Sequence, residues 1–327
     1  MIDTRIDTIS NIAFYHHIDA DNLSRSYKEH LSGYSTWKHK EHAAEYLLYP
    51  ENIGEKISID EISLSDGELY TIVTNKSAKG KKGALISILN GTKVEDIEPI
   101  LMKIPIEKRL KVKEITLDMA KNMESASKRC FPNAKLVTDR FHVVRLVSDA
   151  LQHVRIKYRW EAIKFENESI KKARENHTTY TPKVFANGDT RKKLLARSRY
   201  LLFKIPSNWT KKQQFRAELL FKEYPILKQA YSSSMNFRSI YNFQDKNKAR
   251  IKMMKWIEDT EKSGIEEFNT AANSIKINLE NILNFFHNRS TNANAESFNA
   301  KLKGFRAIQR GVKDINFFLF RLEKLFA

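Results

Sequence analysis

From Lys56 the apolar positions nearly alternate, at Ile57, Ile59, Ile62 and Leu64, which is the period of a half-buried strand. Ser65-Asp66-Gly67-Glu68 reads as a turn, and Leu69–Asn75 and Ala84–Leu89 as two further strands joined through the basic loop Lys76–Gly83. An antiparallel meander of three strands is expected. The period then lengthens. Val94–Lys103 places Val94, Ile97, Ile100 and Leu101 on one side of a helix, with Ile104 beyond it and Pro105 as its stop. Val112–Leu117 returns to a strand, Met119–Arg129 to a helix, and Phe131-Pro132-Asn133 turns the chain into a strand at Ala134–Thr138. A long helix follows from Arg140, with Val143, Val144, Val147, Leu151 and Val154 on its buried side.

Three strands, then helix, strand, helix, strand and helix, is the element order of a ribonuclease-H-like α/β core. In such a sheet the first and fourth strands are neighbours. Residues 1–50 are polar and expected to be helical, around Ser10–Tyr15 and Asp21–Leu31, in an arrangement compatible with a helix-turn-helix. Residues 159–286 are charged and helical without a convincing strand, and read as an insertion. The expected organisation is therefore a helical segment at 1–50, the first part of the core at 51–158, the insertion at 159–286 and core helices at 287–327.

Charge narrows the partners. Lys and Arg total 57 against 39 Asp and Glu, a net charge of +18, which favours a polyanion such as nucleic acid, although charge alone supports only non-specific association. Gly and Pro number 10 and 7, too few for a turn-rich all-β fold. Cys130 is the only cysteine, which excludes an internal disulfide and a cysteine-based zinc site. His16, His17, His30, His39 and His42 fit no common zinc spacing and are expected to be solvated or capping. With no signal-like or membrane-length apolar run, a cytoplasmic setting without a membrane is expected.

Several carboxylates stand out. Asp60 interrupts an apolar strand, where an unpartnered acid is costly to bury; a solvent-facing position on an alternating strand accounts for it as well. Asp118 ends an apolar run before a helix, where a plain N-cap suffices. Glu296 opens a helix whose core face is Phe298, Leu302 and Phe305, while Asn292, Glu296, Asn299 and Lys303 form another stripe suited to phosphate or to solvent. Asp139 and His142 follow the last strand and compete with Asp118 as metal ligands, or cap and brace the next helix. Three hard oxygen donors suit Mg2+, and two such ions about 3.5–4 Å apart activate water and stabilise a leaving oxygen in phosphodiester chemistry.

Five segments carry a resemblance: Ile57-Ser58-Ile59-Asp60-Glu61, Leu117-Asp118-Met119, Phe131-Pro132-Asn133-Ala134, Val137-Thr138-Asp139-Arg140-Phe141-His142-Val143 and Asn294-Ala295-Glu296-Ser297-Phe298-Asn299. In this order and spacing, over residues 35–327, the chain resembles the DDE transposases of ISL-type bacterial insertion sequences, most closely the ISAon-like group. The resemblance implies a ribonuclease-H-like core with Asp60, Asp118 and Glu296 as catalytic metal ligands. Asp139-x-x-His142 matches the Asp/Cys-x-x-His signature between the second and third acids of related transposases, and the long interval to Glu296 resembles members with a helical insertion.

It further implies two Mg2+ ions, replaceable by Mn2+, transposon-end and target DNA as partners, a homodimer, and action at the bacterial nucleoid. Asn299, Lys303, Arg306, Arg310, Lys211 and Lys212 are candidate DNA contacts. The chain departs from the pattern in lacking the cysteine-rich zinc segment, so a separately encoded N-terminal-region protein is a candidate for end binding. The alternatives are a nuclease of the same fold that never joins strands, and a non-catalytic DNA-binding regulator.

Overall fold

The computed structural model describes residues 1–65, 67–309, 312 and 314–327. They form two compact units: Met1–Asp139 with Asn288–Ala327, and Arg140–His287.

The first unit is mixed α/β. It opens with α1 (Ile9–Tyr15) and α2 (Ala20–Ser26), whose first turns are capped by the side chains of Thr8 and Asp19. Strand β1 (Tyr46–Leu48) follows, then β2 (Lys56–Ser65), β3 (Glu68–Asn75) and β4 (Leu85–Asn90). Gly67, at a φ of 94°, supplies the left-handed turn between β2 and β3; its neighbour Asp66 lies outside the described residues. Helices α3 (Val94–Met102) and α4 (Ile106–Arg109) lead to β5 (Glu114–Leu117), and α5 (Lys121–Cys130) leads to β6 (Lys135–Thr138).

The sheet order is β1-β4-β3-β2-β5-β6. β2 is the pivot, antiparallel to β3 and parallel to β5, and β6 continues the parallel half. Helical crossovers make that parallel pairing possible. The expected meander is present, but residues 1–50 are not all helical: Tyr46–Leu48 pair antiparallel with Leu89–Ser87 and cover the outer edge of β4. Its side chains alternate too briefly to announce a strand; an edge to pair with decides its conformation.

Both sheet faces are buried. On one, Ile57, Ile59, Val73 and Ile86 pack with Ile97 and Leu101 of α3 and Met123 and Ala126 of α5. On the other, Ile62, Tyr70, Ile72 and Leu85 pack with the aromatic stripe of two further helices, α14 (Ala293–Ile308) and α15 (Ile315–Phe326), which follow the second unit in the chain. Phe298, Leu302 and Phe305 recur at three- and four-residue steps, as a helix face must.

The second unit is helical: α6 (Arg140–Glu175), α7 (Arg191–Arg197), α8 (Lys211–Glu223), α9 (Pro225–Ile240), α10 (Lys246–Lys262), α11 (Glu266–Ile277), α12 (Leu279–Leu283) and α13 (Phe285–Asn288), the last ending at the return to the first unit. Side-chain caps from Thr190, Thr210 and Asp245 start α7, α8 and α10. The core contains Phe237, Tyr241, Trp256 and Phe268. Asp189 is fully buried and is neutralised by Arg197 and Arg216 at 2.5 and 3.1 Å, which meets the requirement that a buried charge be paired.

Candidate active site

β2 presents alternate residues to opposite faces, so Ile57 and Ile59 enter one core while Ser58, Asp60 and Ile62 point to the α14 side. Register carries that face sideways. Ser58 stands opposite Thr116 on β5, and counting two places on brings Asp60 level with Asp118. Leu117 pairs with Thr138 on β6, so the next residues, Asp118 and Asp139, are level too. The Asp139 N–H closes that step by donating to the Leu117 carbonyl at 2.9 Å. By this register Asp60 on β2 is level with Asp118 and Asp139, the residues that directly follow β5 and β6.

Helix α14 is laid along β2 by contacts seven residues apart. Asn292 lies against Ser58, whose hydroxyl reaches its side-chain oxygen and the Thr116 carbonyl, the latter at 3.2 Å. Asn299 Nδ2 donates to Asp60 Oδ2 at 2.7 Å, and Arg306 Nη1 to the Ser63 carbonyl at 3.3 Å. Asp60 Oδ1 accepts the Glu61 N–H at 2.8 Å. The stripe expected to face phosphate is therefore divided: Asn292 and Asn299 are buried against β2, whereas Glu296 and Lys303 are exposed. Asn299 is a partner of Asp60 here, not an open DNA contact.

Asp118 is half-buried, and Ala120, not Asp118, caps α5. The Asp118 carboxylate instead accepts the Ala120 N–H at 2.7 Å, a tight side-chain turn ahead of the helix. Asp139 is 2 % exposed and directly precedes α6. Asp139 and Glu296, both in the first unit, each offer a ligand atom to one grouping, and these atoms lie within 4.8 Å of each other. The grouping omits Asp60 and Asp118. Burial raises the Glu61 carboxyl above its ordinary range, and the Asp118 and Asp60 charges push it the same way. This end of the sheet is thus rich in hard oxygen donors and negative charge, a donor set that fits divalent cations such as Mg2+ or Mn2+.

A second polar network fixes the approach to α14. Lys76 Nζ donates to Glu114 at 3.3 Å, to Thr116 Oγ1 at 2.7 Å and to the Ser290 hydroxyl; Ser290 and Asn288 in turn donate to the Glu114 carboxylate. Burial opposes the Glu114 charge, but Ser290, Asn288 and Lys76 outweigh it and hold the carboxyl below its ordinary value. At Lys76 burial prevails, and the ammonium sits below its ordinary value despite Glu114. Neither residue is among the candidates from sequence, although Glu114 is an acid inside an apolar strand and carries the same signal as Asp60.

The remaining candidates are dispersed. Lys211 and Lys212 are exposed in the first turn of α8, in the second unit. Arg306 is half-buried, and Arg310 lies outside the described residues. His39 is not solvated: it is packed edge-on against Trp37 and Tyr49, its Nε2 is 4.0 Å from Glu323, and burial lowers its pKa. Among the described residues, no helix is long and apolar enough to cross a membrane.

Comparison with known proteins identifies the family of the chain. A model of the DDE transposase family of the ISL3 type matches residues 57–322, and the chain belongs to that family. It is also 22% identical over 273 residues to the transposase for insertion sequence element IS1001 of Bordetella parapertussis, covering 83% of this chain and 61% of that protein. No solved structure matches.

Proposed function

We propose that this chain is an insertion-sequence transposase that cuts DNA at the element ends and joins the freed 3′-hydroxyl to target DNA, on a ribonuclease-H-like core interrupted by the helical 159–286 insertion. The observation that carries this reading is the level arrangement of Asp60, Asp118 and Asp139, with Glu296 on a helix tied to Asp60 through Asn299.

Asp60, Asp118 and Glu296 would hold two divalent ions, Mg2+ or Mn2+, with Asp139 and His142 as the competing partners of Glu296. When bound, such ions supply an activated water and stabilise the leaving oxygen. The chain's own part is positional. Asn299 sets the orientation of the Asp60 carboxylate, the Ala120 N–H that of Asp118, and Asn292 and Ser290 the start of the helix bearing Glu296. Lys303 and Arg306 follow Glu296 on α14, where they can contact phosphate without reading bases, as can Arg310 and, in the insertion, Lys211 and Lys212. Paired-end chemistry calls for a homodimer.

The test is a strand-transfer assay on pre-cut end DNA with Mg2+. Wild-type chain should give joined product, and Asp60→Asn and Glu296→Gln should give none while remaining folded. Joined product from either variant overturns the assignment. Hydrolysis without joining would mark a nuclease.

A further inference from the structure

The second unit contains a group of guanidinium side chains that form no ion pair among the described residues. Gln152, Arg155 and Arg159 recur at three- and four-residue steps on α6 and so share one helix face. The segment leaving α7 docks there. Gln152 Nε2 donates to the Arg199 carbonyl at 3.2 Å, Arg155 Nη1 to the Leu195 carbonyl at 3.1 Å, and Arg155 Nε to Gln152 Oε1 at 2.7 Å.

Arg155 is only 5 % exposed, and these hydrogen-bond partners are all neutral. Burial, then the charges of Arg159 and Arg199, hold its pKa below the ordinary value. The carbonyl end of α7 offsets part of that cost through its partial negative charge. Arg159 and Arg199 are exposed. None of the three forms an ion pair among the described residues, whereas Arg191, Arg197, Arg216 and Arg250 in the same unit all do.

Arg155 is held at one helix–turn junction that also carries Arg159 and Arg199; like charges brought together there repel until an anion is supplied, and the guanidinium fork suits phosphate in particular. We propose that Arg159 and Arg199, on a platform set by Arg155, form a binding site for the phosphate backbone of duplex DNA. The choice of polyanion rests on the transposase reading; the site does not depend on the metal chemistry.

The experiment measures Kd of the full chain for a duplex of about 30 base pairs and arbitrary sequence between about 50 and 200 mM salt. Arg159→Gln with Arg199→Gln should flatten the slope of log K against log salt by about 0.9 for each phosphate no longer neutralised. The same pair changed to Lys should keep most of the slope. Lys171→Gln with Lys255→Gln removes equal charge from residues already paired to acids on their own helices, and should change the slope far less. An unchanged thermal midpoint shows that the Gln variant is folded. A wild-type slope in the Gln variant overturns the site, as does a wild-type chain that binds no duplex. Binding as expected with failed strand transfer leaves the site standing and removes the catalytic reading.

Discussion

Asn299 donates its side-chain amide to Asp60 Oδ2 at 2.7 Å, joining α14 to β2 within one helical turn of Glu296. Its own Oδ1 is buried and has no hydrogen-bond partner among the described residues, an arrangement that costs stability and so calls for a compensating role. Asn299→Ala should leave the fold intact but lower Mg2+-dependent cleavage or apparent Mg2+ affinity about 10–100-fold, as removal of groups that orient metal ligands does. Asn299→Asp should be worse at neutral pH, because two carboxylates then face each other, and should recover as the pH falls and one takes a proton. Metal titrations of single-turnover cleavage decide. A wild-type Mg2+ dependence in the Ala variant would remove Asn299 from the site.

Lys76 and Glu114 are nearly buried together, so removing one partner strands the other. Lys76→Met or Glu114→Gln alone should cost about 3–5 kcal/mol at neutral pH, whereas Lys76→Met with Glu114→Leu should recover much of that loss. The pH dependence has a definite sign. The folded Glu114 pKa is depressed, so its stabilisation is present above the unfolded value of about 4.3 and is lost as pH falls through the folded value. The gap between wild type and Glu114→Gln in urea unfolding should therefore narrow below about pH 4. A gap that widens there would contradict the assignment.

Local signals carry the core well and the site only in part. Alternation at Ile57 and Ile59 and helical spacing at Phe298, Leu302 and Phe305 are imposed by burial, so both are legible along the chain. β1 is not, because three residues take their shape from the β4 edge. Asp60 is visible as an acid in an apolar strand, but its tie to Asn299 spans 239 positions and leaves no local periodicity. Asn292, Glu296, Asn299 and Lys303 read from spacing as one surface; a helix lying along a strand buries two of these and exposes the others.

Asp118 and Asp139 directly follow the paired residues Leu117 and Thr138 but differ in access, half-buried against 2 % exposed. Substrate and ions must reach a ligand from solvent, which favours Asp118. Asp118→Asn should reduce cleavage to below about a thousandth with little change in stability, as removing a group essential to the chemistry does. Asp139→Ala should instead lose about 1 kcal/mol, the usual cost of an N-cap position, and keep measurable activity. Cleavage assays paired with thermal unfolding separate the two. The reverse pattern would assign the second ligand to Asp139.

Cys130 offers a probe of the sheet-and-helix core that is independent of catalysis. Its thiol is fully buried, lies 3.9 Å from the Glu98 carbonyl, and is pushed up to about 11 by burial, with the Glu98 charge adding and Arg109 and Arg129 opposing. Only the thiolate attacks a disulfide reagent, so at pH 8 the ionised fraction alone should slow the native reaction by roughly a hundredfold relative to a free thiol, before steric exclusion is counted. Because the folded pKa is raised, this protection weakens as pH climbs toward the folded value. The native chain should thus label at the rate of its opening, and unfolding in urea should release a full equivalent at once. Rapid labelling of folded chain at pH 8 would show that α5 does not seal this side of the sheet.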